Sequence, residues 1–164
     1  MKKITHLISL IILLVLINGC AGYEPIFSST NLEFEIDNHS IEGDKILGNK
    51  IYSQLRNLTR SNKNKQNIKK VNLFINVSKN KDATSKNSSG KVLEYKITLT
   101  AEIKVTDFID DNKMLEQTFV SSLSYKVQDQ HYETVKLENK SIENLLNKIY
   151  QELLVKLSQN ITTK

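Results

Sequence analysis

The sequence predicts an α+β domain, in which two helices pack against a four-stranded antiparallel or mixed sheet in the order β-α-β-β-β-α. Three observations predict it. Apolar and polar residues alternate without interruption from Leu93 to Thr106, which is the period of a half-buried strand. Large apolar residues recur at helical spacing from Ile142 to Leu157. A shorter stretch of helical period, Ser40 to Arg60, lies between two further alternating segments.

The N-terminus has the parts of an export signal. Lys2 and Lys3 supply positive charge, and an apolar run of 11 residues follows from Leu7 to Ile17. A helix that crosses the hydrocarbon core of a bilayer needs about 20 apolar residues, so this run is too short for a stable span. We therefore expect residues 1–19 to be a cleaved signal peptide rather than an uncleaved anchor.

Cys20 is the only cysteine in the chain and follows the predicted signal directly. The preceding residues resemble the bacterial lipobox, with Ile17, Gly19 and Cys20 at matching positions. The resemblance implies that Cys20 carries an S-diacylglycerol and an N-palmitoyl group. It also implies an outer-membrane address, because Ala21 stands where an Asp would retain the protein in the inner membrane. A single cysteine excludes an internal disulfide, so core packing must hold the fold.

The mature chain is short and only mildly basic. Loss of residues 1–19 leaves 145 residues (164 − 19), which is the length of one domain. It leaves 21 basic residues (23 − 2) against 18 acidic ones, a net charge of +3, which gives no support for nucleic-acid binding. We expect residues 20–30 to form a lipidated N-terminus and tether, residues 31–160 a single domain and residues 161–164 a tail.

The first half of the domain contains a segment with the strand period of two and a segment with the helical period. Apolar and acidic residues alternate over Leu32–Asp37 and predict the first strand. The first helix is predicted at Ser40–Arg60, with Asp44 or Ser40 as its N-cap. Its apolar face is spaced by four, four and three residues: Leu47, Ile51, Leu55 and Leu58.

The second and third predicted strands flank a polar segment. The second strand begins at Val71 and alternates as far as Ser78. Lys79–Lys91 has no apolar residue larger than alanine, and this composition predicts a mobile loop. The third strand then begins at Leu93.

The last two elements complete the predicted order. Asp107–Lys113 predicts a turn, and Leu115–Val127 resumes a period of two, so strands three and four form an antiparallel hairpin. The closing helix is predicted to begin near Asn139 or Ser141, either of which can cap it.

The sequence offers no recognisable catalytic or metal site. His39 and His131 lie far apart, and neither a zinc-binding helix motif, a strained serine elbow nor a glycine-rich phosphate loop is present. We therefore expect a protein that is not an enzyme and uses no cofactor or metal. An acidic turn lacks the glycine and closing glutamate of a calcium-binding loop and is interpreted as solvated: Asp107, Asp110 and Asp111.

The polar segment contains the candidate ligand-binding residues. Its lysines could contact the phosphates of a glycolipid, or could simply confer solubility: Lys79, Lys81, Lys86 and Lys91.

The lipobox, the segment Gly22–Phe27 that follows it and the β-α-β-β-β-α order together resemble the LptE family of lipopolysaccharide-assembly lipoproteins. Ile41–Asn49, Ser124–Val127 and Leu153–Leu157 are also similar, whereas Ala21 is an extra residue after the cysteine. The resemblance implies a lipid-anchored, non-enzymatic protein on the periplasmic side of the outer membrane. It would sit inside and support the LptD β-barrel and contact lipopolysaccharide. Charge reversal of Lys81, Lys86 and Lys91 should then weaken lipopolysaccharide binding.

Two other functions remain open. A lipoprotein that activates or scaffolds a cell-wall synthesis enzyme would share the tether, the size and the mixed fold. The two functions are distinguished by the partner recovered, either a large outer-membrane barrel or a peptidoglycan synthase. A carrier of small ligands ranks last, because such carriers line their pockets with aromatic residues and this chain has no Trp.

Overall fold

The computed structural model describes residues 34–60 and 68–161. The predicted signal peptide, Cys20, the tether and most of the C-terminal tail lie outside these residues. The described elements are β1 (Phe34–Gly43), α1 (Lys45–Arg60), β2 (Lys69–Lys86), β3 (Val92–Asp107), β4 (Lys113–Lys126) and α2 (His131–Ile161). The predicted α+β fold and its element order are confirmed.

The four strands form one mixed sheet in the order β1-β2-β3-β4. β1 and β2 are parallel, so the chain must cross over between them, and α1 lies in that connection. β2, β3 and β4 follow as antiparallel neighbours.

The core lies between the helices and one face of the sheet. The apolar positions that the alternation of β2 and β3 predicted are buried, from Val71 to Val77 and from Ile97 to Val105. Three residues of α1 and seven of α2 pack against them: Leu47, Ile51, Leu55, Ile142, Leu145, Leu146, Ile149, Leu153, Leu154 and Leu157. Each fully buried side chain of this size stabilises the fold by about 1.5–3 kcal/mol relative to an exposed one.

The junction of β1 and α1 lies later in the chain than predicted. β1 does not end at Asp37 but continues to Gly43, because residues 38–43 pair with residues 72–77 of β2. The helix therefore begins at Lys45 rather than Ser40. Of the two predicted caps, Asp44 is the one used, since its Oδ1 accepts hydrogen bonds from the backbone N–H groups of Ile46 and Leu47, both at 3.1 Å.

α2 begins at His131, more than two helical turns before the predicted start. The prediction near Asn139 or Ser141 was wrong because the early turns bury polar side chains. Thr134 and Ser141 are buried, and Glu138 is largely covered, so no apolar stripe marks this part of the helix.

Candidate binding surface

The far half of the β2–β3 hairpin is the candidate binding surface, and its structure differs from the prediction. Lys79–Lys91 is not a mobile loop, since β2 continues to Lys86 and only five residues connect it to β3. Ser78–Lys86 pairs with β3 over Thr100–Val92, with irregularities around Ser85. A polar segment forms a strand here because the neighbouring strand satisfies its backbone groups.

The side chain of Asn87 closes the turn at the hairpin tip. Asn87 Oδ1 accepts hydrogen bonds from the backbone N–H groups of Ser89 at 3.1 Å and Lys91 at 2.9 Å. Gly90 has a φ of +82°, a conformation that glycine adopts without strain. Lys91 is therefore held close to the end of β2, and Lys86 pairs with the adjacent Val92.

We call Ser78–Lys96 the basic hairpin. Every β2 residue in it, from Ser78 to Lys86, is exposed. Its two acidic residues, Asp82 and Glu94, are outnumbered by five lysines, which leaves a net charge of +3 (5 − 2): Lys79, Lys81, Lys86, Lys91 and Lys96. The surface is an ordered strand pair rather than a flexible segment, so an anionic ligand would meet lysines on a fixed backbone.

Lys81 differs from the other candidate lysines because it is bound within the domain. Its Nζ lies 2.5 Å from Glu138 Oε2 on α2 and 4.4 Å from the ring centre of Tyr95. The Tyr125 hydroxyl donates a hydrogen bond to the same carboxylate oxygen at 2.9 Å. These four residues form a lysine–tyrosine cluster that fastens the hairpin to the start of α2.

Both charges of this cluster are stabilised. Burial alone would raise the pKa of Glu138, but the hydrogen bonds from Lys81 and Tyr125 hold that pKa below its ordinary value. Burial would likewise lower the pKa of Lys81, yet the hydrogen bond to Glu138 holds it above its ordinary value. Because the pKa of Glu138 is depressed on folding, its contribution is present above the unfolded pKa and is lost as the pH falls through the folded one.

We expect Glu138→Gln to lower the free energy of unfolding by about 1 kcal/mol at pH 7, since it removes a charge-assisted hydrogen bond that is partly open to solvent. The difference from the wild type should shrink on acidification, as the wild-type carboxylate becomes protonated. Denaturant unfolding at several pH values measures this. Glu152→Gln, at an exposed position of the same helix, is the control. A constant difference from pH 7 to pH 3 would contradict the role of the charge.

The structure does not bring the four candidate lysines together. Lys79 lines an open groove of about 610 Å³ between α1 and α2, whereas Lys81 belongs to the cluster. Lys86 and Lys91 lie at the hairpin tip, and neither has an ion-pair partner among residues 34–60 and 68–161. Lys86 and Lys91 are therefore the pair best placed for a ligand.

The histidines and the acidic turn do not build another site. His39 stacks on Tyr52, with ring centres 3.9 Å apart, and His131 opens α2. Asp107 accepts a hydrogen bond from the backbone N–H of Ile109 at 2.9 Å and lies 3.1 Å from Lys69. Within the described part of the chain, no three metal-ligating side chains come together, and neither helix has the length and apolarity to cross a membrane.

Known proteins resemble this chain in fold rather than in sequence. No protein-family model matches it, and no curated protein matches it in sequence. A minor lipoprotein from Acinetobacter baumannii superposes with a TM-score of 0.57 at 14% identity, over 78% of this chain and 92% of that one. An uncharacterized lipoprotein B from Nitrosomonas europaea superposes with a TM-score of 0.58 at 16% identity, over 79% and 86%. The chain shares its α+β fold with almost the whole of each of these structures.

Proposed function

We propose that this chain is a lipid-anchored component of the lipopolysaccharide transport and assembly machinery, on the periplasmic side of the outer membrane. In this role it binds and supports an LptD-like β-barrel and contacts lipopolysaccharide through the basic hairpin. The observation that carries the proposal is the hairpin itself, an ordered and exposed strand pair with a net charge of +3, whose two tip lysines have no ion-pair partner in the described part of the chain.

The chemistry of the hairpin tip suits a phosphorylated glycolipid. Ammonium groups form charge-assisted hydrogen bonds with phosphate oxygens, which are stronger than neutral ones. Because strand pairing orders the backbone at Lys86 and the hydrogen bonds to Asn87 order it at Lys91, binding would have to order only the two side chains. The anionic part of the ligand would therefore meet two cations that are carried on a fixed backbone.

The membrane attachment in this proposal comes from Cys20. The lipobox resemblance supplies it, and the shared fold with two proteins described as lipoproteins supports it. A single acyl chain binds a membrane only marginally, whereas several chains anchor a protein firmly. A triacylated Cys20 would keep the hairpin next to the outer membrane.

We expect the double variant K86E/K91E to weaken lipopolysaccharide binding by about fivefold to tenfold at low salt, which corresponds to about 1 kcal/mol or slightly more. Two cations become two anions at the hairpin tip, while the lysine–tyrosine cluster stays intact. Binding of purified chain to lipopolysaccharide, titrated at two salt concentrations, measures the effect. The wild-type affinity should fall with added salt because exposed charges are screened.

The matched control is K148E/K156E, which changes the same charge at two exposed positions of α2. Net charge is thereby held equal between the two double variants. If the control weakens lipopolysaccharide binding as much as K86E/K91E does, the hairpin has no special role.

A further inference from the structure

The two edges of the sheet are protected very differently. β1, one edge strand, carries three acidic residues, and its pairing with β2 shifts register between Ile36 and Asn38. Charges and bulges on an edge strand discourage pairing with another chain. The acidic residues are Glu35, Asp37 and Glu42.

β4, the other edge strand, lacks both devices along most of its length. From Gln117 to Tyr125 it has no charged residue, and it pairs with β3 without a register shift from Leu115 to Lys126. Two of its apolar side chains are solvent-exposed, Val120 by 59% and Leu123 by 39%. A long, regular and uncharged edge of this kind is a template for another strand.

We propose that this edge pairs with β4 of a second copy of the chain, antiparallel, about a twofold axis that passes through Ser121. Directly opposed residues in an antiparallel ladder lie on the same face of the sheet. A twofold axis between identical antiparallel strands must therefore pass through a residue rather than between two residues. The register of the pairing between the two copies is then fixed by the residue that lies on the axis.

Charge complementarity selects Ser121. With the axis there, the positions of opposed residues sum to 242, so Glu116 of each copy lies opposite Lys126 of the other. This places an opposite-charge pair at both ends of the uncharged stretch. Any other residue on the axis would separate Glu116 from Lys126. Lys126 has no ion-pair partner within the described residues, whereas Glu116 lies 3.0 Å from Lys104 and 2.8 Å from Lys113.

The remaining opposed pairs are also compatible. Val120 would face Ser122 and Thr118 would face Ser124 on one side of the sheet, while Phe119 would face Leu123 on the other. The exposed apolar side chains of both strands thus gain cross-strand neighbours.

The test is the oligomeric state of the full chain, purified with its membrane anchor in density-matched detergent, measured by sedimentation equilibrium over a range of protein concentrations. We expect the wild type to dimerise reversibly. V120K should raise the dimer dissociation constant at least tenfold, because it places a charge at the centre of each edge. I109K, at a residue that is 90% exposed in the β3–β4 turn, should leave it unchanged.

A charge swap tests the register. E116K and K126E should each weaken the dimer, since each places like charges opposite one another at both ends, and E116K/K126E together should restore it. Thermal melting of each variant separates a lost dimer from a lost fold. A wild type that stays monomeric, equal losses in V120K and I109K, or no restoration in the double variant would each overturn the proposal. The proposal would also be overturned if the wild type is monomeric and the β4 variants lose binding to a different protein. K86E/K91E should dimerise as the wild type does, so this outcome does not depend on the proposed function.

Discussion

Gly43→Ala is expected to destabilise the domain by about 3–5 kcal/mol, at the upper end of single-residue effects. Gly43 has a φ of +68°, where an L-residue is strained. A Cβ at this position would overlap the backbone carbonyl oxygen of Val77 and lie 2.8 Å from Asn76 Oδ1. The oxygen of Val77 cannot easily move away, because it accepts the hydrogen bond of the Asp44 N–H at 2.7 Å, beside the cap of α1.

Gly90→Ala is the matched control for this prediction. Gly90 also has a positive φ, +82°, but an added Cβ there meets no atom within 4 Å. Only the backbone strain remains, which costs about 1–2 kcal/mol. Denaturant unfolding of both variants gives their free energies of unfolding, and the difference between the two losses measures the cost of the atomic overlap at Gly43. Equal losses of stability in the two variants would show that the approach of Gly43 to β2 contributes nothing.

Cys20→Ser is expected to keep the chain out of the outer membrane and to leave residues 1–19 attached to it. The substitution removes the thiol that the lipobox resemblance identifies as the site of acylation, and cleavage at a lipobox follows acylation, so the uncleaved precursor stays in the inner membrane. Fractionation of cells followed by detection of the chain measures this.

Ala21→Asp is the matched variant, because it keeps Cys20 and changes only the residue that the lipoprotein-sorting rule reads. It should remain membrane-bound but move from the outer to the inner membrane. A wild-type chain that keeps residues 1–19 would instead indicate an uncleaved N-terminal anchor.

The fold was predictable where side-chain pattern and burial agree. The alternation of β3 and the apolar stripe of α2 from Ile142 onward reflect core packing directly. Both are buried as predicted, except that Leu93 is 44% exposed and Tyr95 is half-buried at the hairpin end of β3. The far half of β2 was missed because its strand is specified by the neighbouring strand rather than by its own polar side chains. The sequence did not require the longer strand, because the predicted fourth strand, Leu115–Val127, is by itself long enough to pair with Leu93–Thr106.

The candidate site was predictable only in part. Composition identified the lysines, and Lys86 and Lys91 are exposed at the hairpin tip as a ligand would require. The structural role of Lys81 depends on Glu138, which is 57 positions away in the chain, and on two tyrosines of different strands. Contacts between residues so distant in sequence are set by packing of α2 on the sheet, which residue spacing does not reveal.

The most direct test of the proposed function is crosslinking in native outer membranes from a photoreactive residue introduced at Ser88, in the exposed turn of the basic hairpin. The crosslinked chain is purified, and the proteins bound to it are identified by mass. The Cys20→Ser chain carrying the same residue is the control, because it should not reach the outer membrane. The proposal predicts a large outer-membrane β-barrel protein, recovered in stoichiometric amount only with the anchored chain. Recovery of a cell-wall synthase, or of no barrel, would contradict it.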